Sequence, residues 1–140
     1  MNWVGRSAPN FNLPNLFKPS ERFDQSLLNM PRLIHVFSTW CKACESEHHI
    51  LLDKAKDFKD YFLGINFYDE PDLSREWLNK FGNPYTLVLL DDQNQFALDY
   101  GVVAPPETLV IKAGKICFRQ AGPITLEVWD QKIAPCLSNH

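Results

Sequence analysis

Long apolar runs and an excess of positive charge are both missing from this 140-residue sequence. No stretch approaches the roughly 20 apolar residues of a membrane-spanning helix, and residues 1–6 lack the apolar core of a signal peptide. A trimmed or processed exported protein would look the same, so the compartment stays open. The formal net charge is −3, with no long run of one sign. The basic face required for non-specific nucleic-acid binding is therefore absent, and no nucleic-acid partner is expected.

Cysteine is also scarce, with four residues, of which only Cys41 and Cys44 are close in sequence. Small domains stapled by disulfides carry more cysteines in shorter chains. Apolar residues make up 45% of the sequence, including ten Phe, four Trp and four Tyr, so one domain can build its core without staples. The pattern indicates a reactive dithiol, with Cys117 and Cys136 expected as separate core or sheet cysteines.

Hydrophobic periodicity and turn signals predict the order β-α-β-α-β, then a hairpin and a last helix. The strands are expected at 32–38, 62–68, 86–90, 107–112 and 115–120, and the helices from the cysteine pair to about 59, from 71 to 81 and after Thr125. Right-handed crossovers then make the first strands parallel, and the hairpin adds antiparallel ones. We expect a single α/β domain over residues 1–140, with a central mixed sheet and helices on both faces.

Two details of this arrangement concern packing. Residues 7–19 are rich in Pro and Asn and predict an extended segment lying on the domain, within an N-terminal arm of residues 1–30. Helical spacing predicts two buried stripes, which are Leu73, Trp77, Leu78 and Phe81 in the second predicted helix and Leu126, Trp129 and Ile133 in the last.

The pair Cys41 and Cys44 stands where a predicted strand passes into a helix. Helix N-terminal N–H groups stabilise a thiolate there, and Lys42 adds a nearby cation. Cys44 lies one helical turn further on, so Cys41 is the expected nucleophile and Cys44 the expected resolver of a mixed disulfide. Two alternatives remain. The pair can be half of a zinc site with His48, or a structural disulfide, although so short a loop stabilises a fold little.

The segment 36–44 (Val-Phe-Ser-Thr-Trp-Cys-Lys-Ala-Cys) resembles the active-site segment of thioredoxins. The whole chain resembles the cytochrome c maturation thioredoxins called CcmG or DsbE. The supporting segments are 8–14, 65–69, 81–85 (Phe-Gly-Asn-Pro-Tyr), 101–102, 106–108 (Pro-Glu-Thr) and 121–123. They occur in the family's order and cover most of the chain, and the resemblance implies a thioredoxin fold.

The resemblance implies a periplasmic protein-disulfide reductase, tethered to the inner membrane by an N-terminal helix outside this chain. The implied substrate is the disulfide of the haem-attachment motif of apocytochrome c, or of a haem-ligation partner. The implied electron donor is a membrane thiol reductant of the DsbD or CcdA type. No cofactor or metal is expected, and the chain is expected to act as a monomer. Alternatives are a broader reductase of the TlpA or ResA type, a metal-binding module using Cys41, Cys44 and His48, and a chaperone-like holder of unfolded apocytochrome.

Supporting roles are expected for six further residues. Trp40 shields the sulfurs and contacts substrate, and His35 lies on the strand before the cysteines, where it either serves the dithiol or packs as a neutral core residue. The others come from the resemblance: Glu47 and Glu107 match acidic positions of the family, and Pro106 matches its cis-proline, preceded here by Pro105 in the substrate groove. A carboxylate near the dithiol can raise thiol pKa values or relay the resolving cysteine's proton.

The chain departs from the family's pattern in three respects. Lys42 and Ala43 stand between the cysteines, where Pro is frequent, and Val103 replaces a common Tyr. Pro105 has no N–H, so one main-chain hydrogen bond to a docked substrate strand should be missing.

Overall fold

A computed structural model describes residues 2–138. Met1, which begins the predicted arm, and residues 139–140, which end the predicted domain, lie outside the described residues. Within them the strands are β1 (Asn12–Asn15), β2 (Lys18–Asp24), β3 (Arg32–Phe37), β4 (Phe62–Asn66), β5 (Leu87–Leu90), β6 (Glu107–Lys112) and β7 (Lys115–Ala121). They form one sheet in the order β2-β1-β5-β4-β3-β6-β7. β3, β4 and β5 are parallel neighbours, and the other pairs are antiparallel.

The helices are α1 (Lys42–Phe58), α2 (Pro71–Phe81), α3 (Gln95–Tyr100), α4 (Leu126–Val128) and α5 (Ala134–Leu137). A π-helical turn, Trp129–Ile133, joins the last two, and short 3₁₀ turns occupy Gln25–Asn29 and Lys59–Tyr61. The predicted order of strands and helices is confirmed. α3 is an addition that the sequence pattern did not indicate. The buried carboxylate of Asp91 starts it by accepting hydrogen bonds from the N–H groups of Phe96 (3.0 Å) and Ala97 (2.9 Å).

Two apolar cores lie on opposite faces of the sheet, because alternate residues of each strand point to opposite sides. One core joins Leu33, Phe37 and Val110 of the strands to α1, α2 and the C-terminal helical segment. The other joins Ile34, Val36 and Leu109 to α3 and the N-terminal residues. The mixed sheet with helices on both faces is therefore as expected, and α1 and α2 share one face.

The predicted N-terminal arm is extended, but part of it is hydrogen-bonded into the sheet. β1 pairs antiparallel with β2 and, through Asn15 opposite Leu89, with β5. Leu13 and Leu16 are buried. The segment covers the outer edge of β5, which would otherwise expose unpaired backbone groups.

The predicted buried stripe of α2 is wrong in two of its four residues. Leu78 is buried and Trp77 half-buried, but Leu73 is 54% and Phe81 48% exposed. The cause is Ser74, which is buried and donates a hydrogen bond to Oδ1 of Asn66 at 2.8 Å. This contact turns the Ser74 side of α2 inward and leaves Leu73 outside.

The stripe predicted for the last helix is wrong at one position. Trp129 and Ile133 are buried, whereas Leu126 is exposed. Leu126 is the first residue after the capping Thr125, whose side chain accepts the N–H of Val128 at 3.1 Å. Among residues 2–138, no neighbouring element covers the leucine at that helix end.

Candidate active site

Cys41 and Cys44 form a disulfide at the N-terminus of α1, with Cα atoms 5.3 Å apart. Cys41 is the N-cap residue in an extended conformation, and its Sγ accepts the N–H of Cys44 at 3.1 Å. Cys41 is 7% exposed and Cys44 2%. The less buried of the two cysteines is therefore the one whose sulfur lies against the helix N-terminus, where backbone N–H groups favour negative charge.

The turn before Cys41 is held by Asp69, for which the sequence predicted no role at the site. Its carboxylate accepts hydrogen bonds from the backbone N–H (2.6 Å) and the hydroxyl (2.8 Å) of Thr39. Trp40 is 57% exposed, and its indole N–H donates to the carbonyl of Tyr68 at 2.7 Å. The indole is thus fixed beside the cysteine pair with much of its surface facing solvent. The sequence did hold one signal for this contact: Asp69 comes shortly after β4, which is parallel to β3, so the residues after both strands lie at the same edge of the sheet.

Glu47 lies three residues after Cys44, on the buried face of α1, and is 2% exposed. Its Oε2 accepts the backbone N–H of Ile124 at 2.8 Å, and its Oε1 lies 2.5 Å from Nε2 of His35. Both oxygens of this buried carboxylate therefore have a hydrogen-bond partner, as a buried polar group requires. Glu47 is therefore not a solvated residue on the outer face of the helix.

His35 bridges Glu47 and Tyr85, with its Nδ1 2.7 Å from the Tyr85 hydroxyl. Burial, reinforced by the charge of Glu47, raises the pKa of Tyr85 well above its usual range, so the phenol keeps its proton. The neutral imidazole with hydrogen on Nε2 satisfies all three groups: Tyr85 donates to Nδ1, and Nε2 donates to Glu47. Gly64 stands opposite His35 on β4, and a Cβ there would lie 2.9 Å from the Tyr85 ring. Its lack of a side chain makes room for this contact.

Glu107, the first residue of β6, is 4% exposed and forms an ion pair with Arg119 of β7. Burial raises the pKa of Glu107, and the Arg119 charge and hydrogen bond partly offset that rise. The Arg119 guanidinium also donates to the carbonyl of Tyr100 at 2.5 Å and lies 4.7 Å from the Trp3 ring centroid. The Glu107 carboxylate therefore contacts Arg119 on the neighbouring strand β7.

The Pro105–Pro106 peptide bond is cis, as predicted. Pro106 is buried, and its carbonyl accepts the N–H of Gly122 at 2.9 Å. Because Val36 of β3 is opposite Glu107 of antiparallel β6, Pro106 stands at the edge of the sheet where β3 leads into the cysteine turn. Val103, which replaces the family's common Tyr, is 89% exposed.

The contacts of His48 are those of a packed core residue and not of a metal ligand. Its Nε2 lies 2.8 Å from the carbonyl of Gly82, and its ring packs edge-on against Trp77 with centroids 4.5 Å apart. Burial, the largest influence, lowers the pKa of His48. Within residues 2–138, no three His, Cys, Asp or Glu side chains are grouped to hold a metal ion.

Cys117 and Cys136 are not separate core cysteines, which corrects the sequence prediction. They form a second disulfide between β7 and α5, with Cα atoms 6.1 Å apart, and both are half-buried. No local pattern linked them, because the two positions are 19 residues apart in sequence and helical segments lie between them. No helix within residues 2–138 has the length and apolar character needed to cross a membrane.

Comparison with known structures supports the architecture. A thiol:disulfide interchange protein of the thioredoxin family from Chlorobium tepidum superposes with a TM-score of 0.75 at 21% identity, covering 94% of this chain and 96% of that one. A secreted Mycobacterium tuberculosis disulfide oxidoreductase, described as homologous to DsbE, gives a TM-score of 0.76 at 19% identity over 89% and 95% of the two chains. At these identities the likeness shows the thioredoxin-like fold.

Sequence comparison is more specific. The model of the AhpC/TSA family matches residues 4–119. DsbE of Vibrio cholerae is 38% identical, with 94% of this chain and 72% of the relative aligned. DsbE of Yersinia pestis is also 38% identical, over 94% and 71%. The sequence relatives and the cysteine pair on a thioredoxin-like fold point to the same family. The chain belongs to the AhpC/TSA family and, within it, to the DsbE thiol:disulfide interchange proteins, which are thiol–disulfide oxidoreductases.

Proposed function

We propose that this protein is a periplasmic disulfide reductase of cytochrome c maturation, with Cys41 as nucleophile and Cys44 as resolving cysteine. The Cys41 thiolate attacks one sulfur of a substrate disulfide, forms a mixed disulfide, and releases the other substrate sulfur, which takes up a proton. The Cys44 thiolate then attacks Sγ of Cys41 and releases the second substrate sulfur, which is also protonated. The substrate gains two electrons and two protons, and the protein is left with the Cys41–Cys44 bond.

The observation that carries this proposal is the place of Cys41 as N-cap of α1. Its sulfur accepts the N–H of Cys44 at 3.1 Å, which is the contact that would hold a thiolate. Cys41 is also the less buried of the two cysteines, as an attacking residue must be. Cys44 is enclosed, so it can attack a disulfide only after Cys41 has formed a mixed disulfide with the substrate.

Glu47 is the candidate base for Cys44. A buried thiol must lose its proton before it can resolve the mixed disulfide, and an ionised carboxylate one helical turn away can accept that proton. His35 and Tyr85 hold the carboxylate in place. Glu107, tied to Arg119, acts on the site through its charge at the start of β6.

Trp40, Pro105 and Pro106 are proposed to contact the substrate chain. Trp40 offers an exposed apolar face beside Cys41. Pro105 and Pro106 precede β6 at the same edge of the sheet, where an added substrate strand can lie. Pro105 can only accept a main-chain hydrogen bond, so side-chain contacts gain weight in substrate binding.

The relatives' DsbE name supports apocytochrome c, or a haem-ligation partner, as the substrate. Reduction of a substrate leaves the Cys41–Cys44 disulfide, so a two-electron thiol donor of the DsbD or CcdA type is required. The second disulfide, Cys117–Cys136, suits the oxidising periplasm, where tethering to the inner membrane would keep the protein beside such a donor.

The test is a trap with Cys44→Ser in the native compartment. Without the resolving sulfur, the mixed disulfide through Cys41 should accumulate, and the trapped protein should be apocytochrome c or a haem-ligation partner. The control is Cys41→Ser with Cys44→Ser, which should trap nothing. A broad set of unrelated trapped proteins would favour the TlpA or ResA type of reductase, and no trapped protein would refute the reductase.

A further inference from the structure

An exposed, largely apolar surface runs from the turn before Cys41 along α2. It consists of Thr39, Trp40, Tyr68, Leu73, Trp77 and Phe81, here called the α2 furrow. Thr39 and Leu73 line both of its halves, so the furrow is continuous from the residue before Trp40 to the C-terminal end of α2. Tyr68 is 69% exposed, and Leu73 and Phe81 are each about half exposed.

The furrow is held in shape by contacts beneath it. Asp69 fixes Thr39 through two hydrogen bonds, and Trp40 is bonded to the Tyr68 carbonyl. Trp77 packs against Phe81 with ring centroids 5.4 Å apart, and against the buried Phe37 at 6.4 Å. A surface built on such fixed side chains can receive a ligand without first being ordered.

Acidic groups dominate the rim of the furrow. Glu70 borders its half near Trp40, and Glu76 borders its half near Phe81; both are exposed. The cation on the rim, Lys80, has its Nζ 5.3 Å from the centroid of the Phe81 ring. An occupant with apolar side chains and a positive charge would complement this surface, and an acidic one would be repelled.

The furrow's position selects among occupants. It starts at the two residues that precede Cys41, so a chain whose disulfide is attacked by Cys41 must pass its opening. Exposed apolar patches at a reactive centre are typical of sites that bind another molecule. An unfolded polypeptide has free apolar side chains to place there, whereas a small disulfide does not reach Leu73 or Phe81.

We propose that the α2 furrow binds the stretch of substrate polypeptide next to the attacked disulfide, and that it selects apolar side chains accompanied by a basic residue. The inference rests on the proposed reductase function and adds to it a preference for the sequence around the substrate cysteine. Leu73 and Phe81 are specificity-determining residues outside the dithiol machinery.

The experiment measures the second-order rate constant for oxidation of the reduced protein by three disulfides. Two are peptides with one internal disulfide that differ only in the flank, Leu-Leu-Arg in one and Ser-Ser-Gln in the other. The third is oxidised glutathione, which reports the chemistry at Cys41 alone. The variants are Leu73→Ser, Phe81→Ser and Glu76→Gln, and the matched control is Leu98→Ser. Leu98 is 73% exposed on α3, on the other face of the sheet.

We expect wild type to react about tenfold faster with the apolar, basic flank than with the polar one, from burial of one or two side chains. Leu73→Ser and Phe81→Ser should each remove most of that advantage, and Glu76→Gln should weaken the preference for arginine. Reaction with oxidised glutathione should stay unchanged in all four variants, which also shows that they fold. Leu98→Ser should behave as wild type.

Three outcomes would overturn the proposal. Equal rates with both peptides would show that the flank is not read. If Leu98→Ser also lost the faster reaction with the apolar, basic flank, the effect would not be specific to the furrow. Concentration-dependent dimerisation that Leu73→Ser abolishes, with peptide rates unchanged, would assign the furrow to a second copy of this chain. Failure of wild type to react with any of the three disulfides would instead refute the proposed reductase function. This outcome differs from the other three, in which wild type still reacts with oxidised glutathione.

Discussion

The imidazole of His35 and the carboxylate of Glu47 lie 2.5 Å apart, from Nε2 to Oε1, and both side chains are 1% exposed. The hydroxyl of Tyr85 closes the other side of the imidazole at 2.7 Å. A buried carboxylate one turn after Cys44, the proposed resolving cysteine, is thus held by an imidazole that is itself held by a phenol. The three side chains form one buried, coupled hydrogen-bond network.

This coupling predicts a change in pH dependence when the chain of groups is cut. Tyr85→Phe keeps the ring and removes the donor to His35, and His35→Asn removes the bridge to Glu47. Both variants should slow resolution of the mixed disulfide by about tenfold and shift its pH profile, with His35→Asn having the larger effect. Each should also cost about 1–3 kcal/mol of unfolding free energy, because a buried polar group loses its partner. Lower stability with an unmoved pH profile would leave His35 and Tyr85 as core residues only.

The nucleophile assignment predicts a difference in thiol reactivity. In the reduced protein near neutral pH, Cys41 should be alkylated by iodoacetamide faster than Cys44, because Cys41 is nearer to solvent and caps α1. Peptide mapping after brief labelling checks this. Cys41→Ser should abolish disulfide reduction. Preferential labelling of Cys44 would reverse the two roles.

The direction of electron flow predicts the reduction potential. The buried negative charge of Glu47 opposes a second negative charge on the dithiol, which disfavours a very acidic thiol. We expect a potential nearer the roughly −270 mV of thioredoxin than the roughly −120 mV of a strong oxidase. Equilibration with glutathione buffers measures it, and an oxidase-like value would contradict the reductase.

The environment of His48 predicts a loss of stability in acid. Burial lowers its pKa below the ordinary 6.5, so the unfolded chain binds a proton more readily than the folded one. The contribution of His48 is therefore fully present above about pH 6.5 and is lost as the pH falls through its folded value. His48→Gln, whose amide can still donate to the Gly82 carbonyl, should flatten this loss. Denaturant unfolding of both proteins at pH 7.5 and pH 5 tests the difference, and parallel losses would contradict it.

The second disulfide predicts a separation of stability from activity. Replacing both Cys117 and Cys136 by Ala should lower the unfolding free energy by about 3 kcal/mol, because a loop of this length is no longer closed in the unfolded chain. The rate of disulfide reduction should not change, since these two sulfurs are bonded to each other and not to Cys41 or Cys44. Chemical denaturation and a reduction assay measure the two effects. Unchanged stability, or a lost activity, would show a different role.

Local sequence was sufficient for the elements that carry the reactive pair. The apolar run of β3 followed by Trp40 and Cys41 predicted a strand passing into a helix. The short gap between the predicted strands 107–112 and 115–120 predicted the β6–β7 hairpin. The pairing of these elements was also accessible, because parallel strands linked by helices follow one handedness. The cis bond before Pro106 followed from the family resemblance and the low cost of cis at proline.

Tertiary structure decided which distant side chains meet. His35 and Tyr85 are 50 residues apart, and they touch because β3 and β4 align His35 with Gly64, where no side chain obstructs the phenol. The same applies to Asp69 with Thr39 and to Cys117 with Cys136. The exposure of Leu73 and Phe81 was decided in the same way, because the buried hydrogen bond between Ser74 and Asn66 sets the rotation of α2. Helical spacing shows which residues share a face, but only the neighbouring elements determine which face is covered.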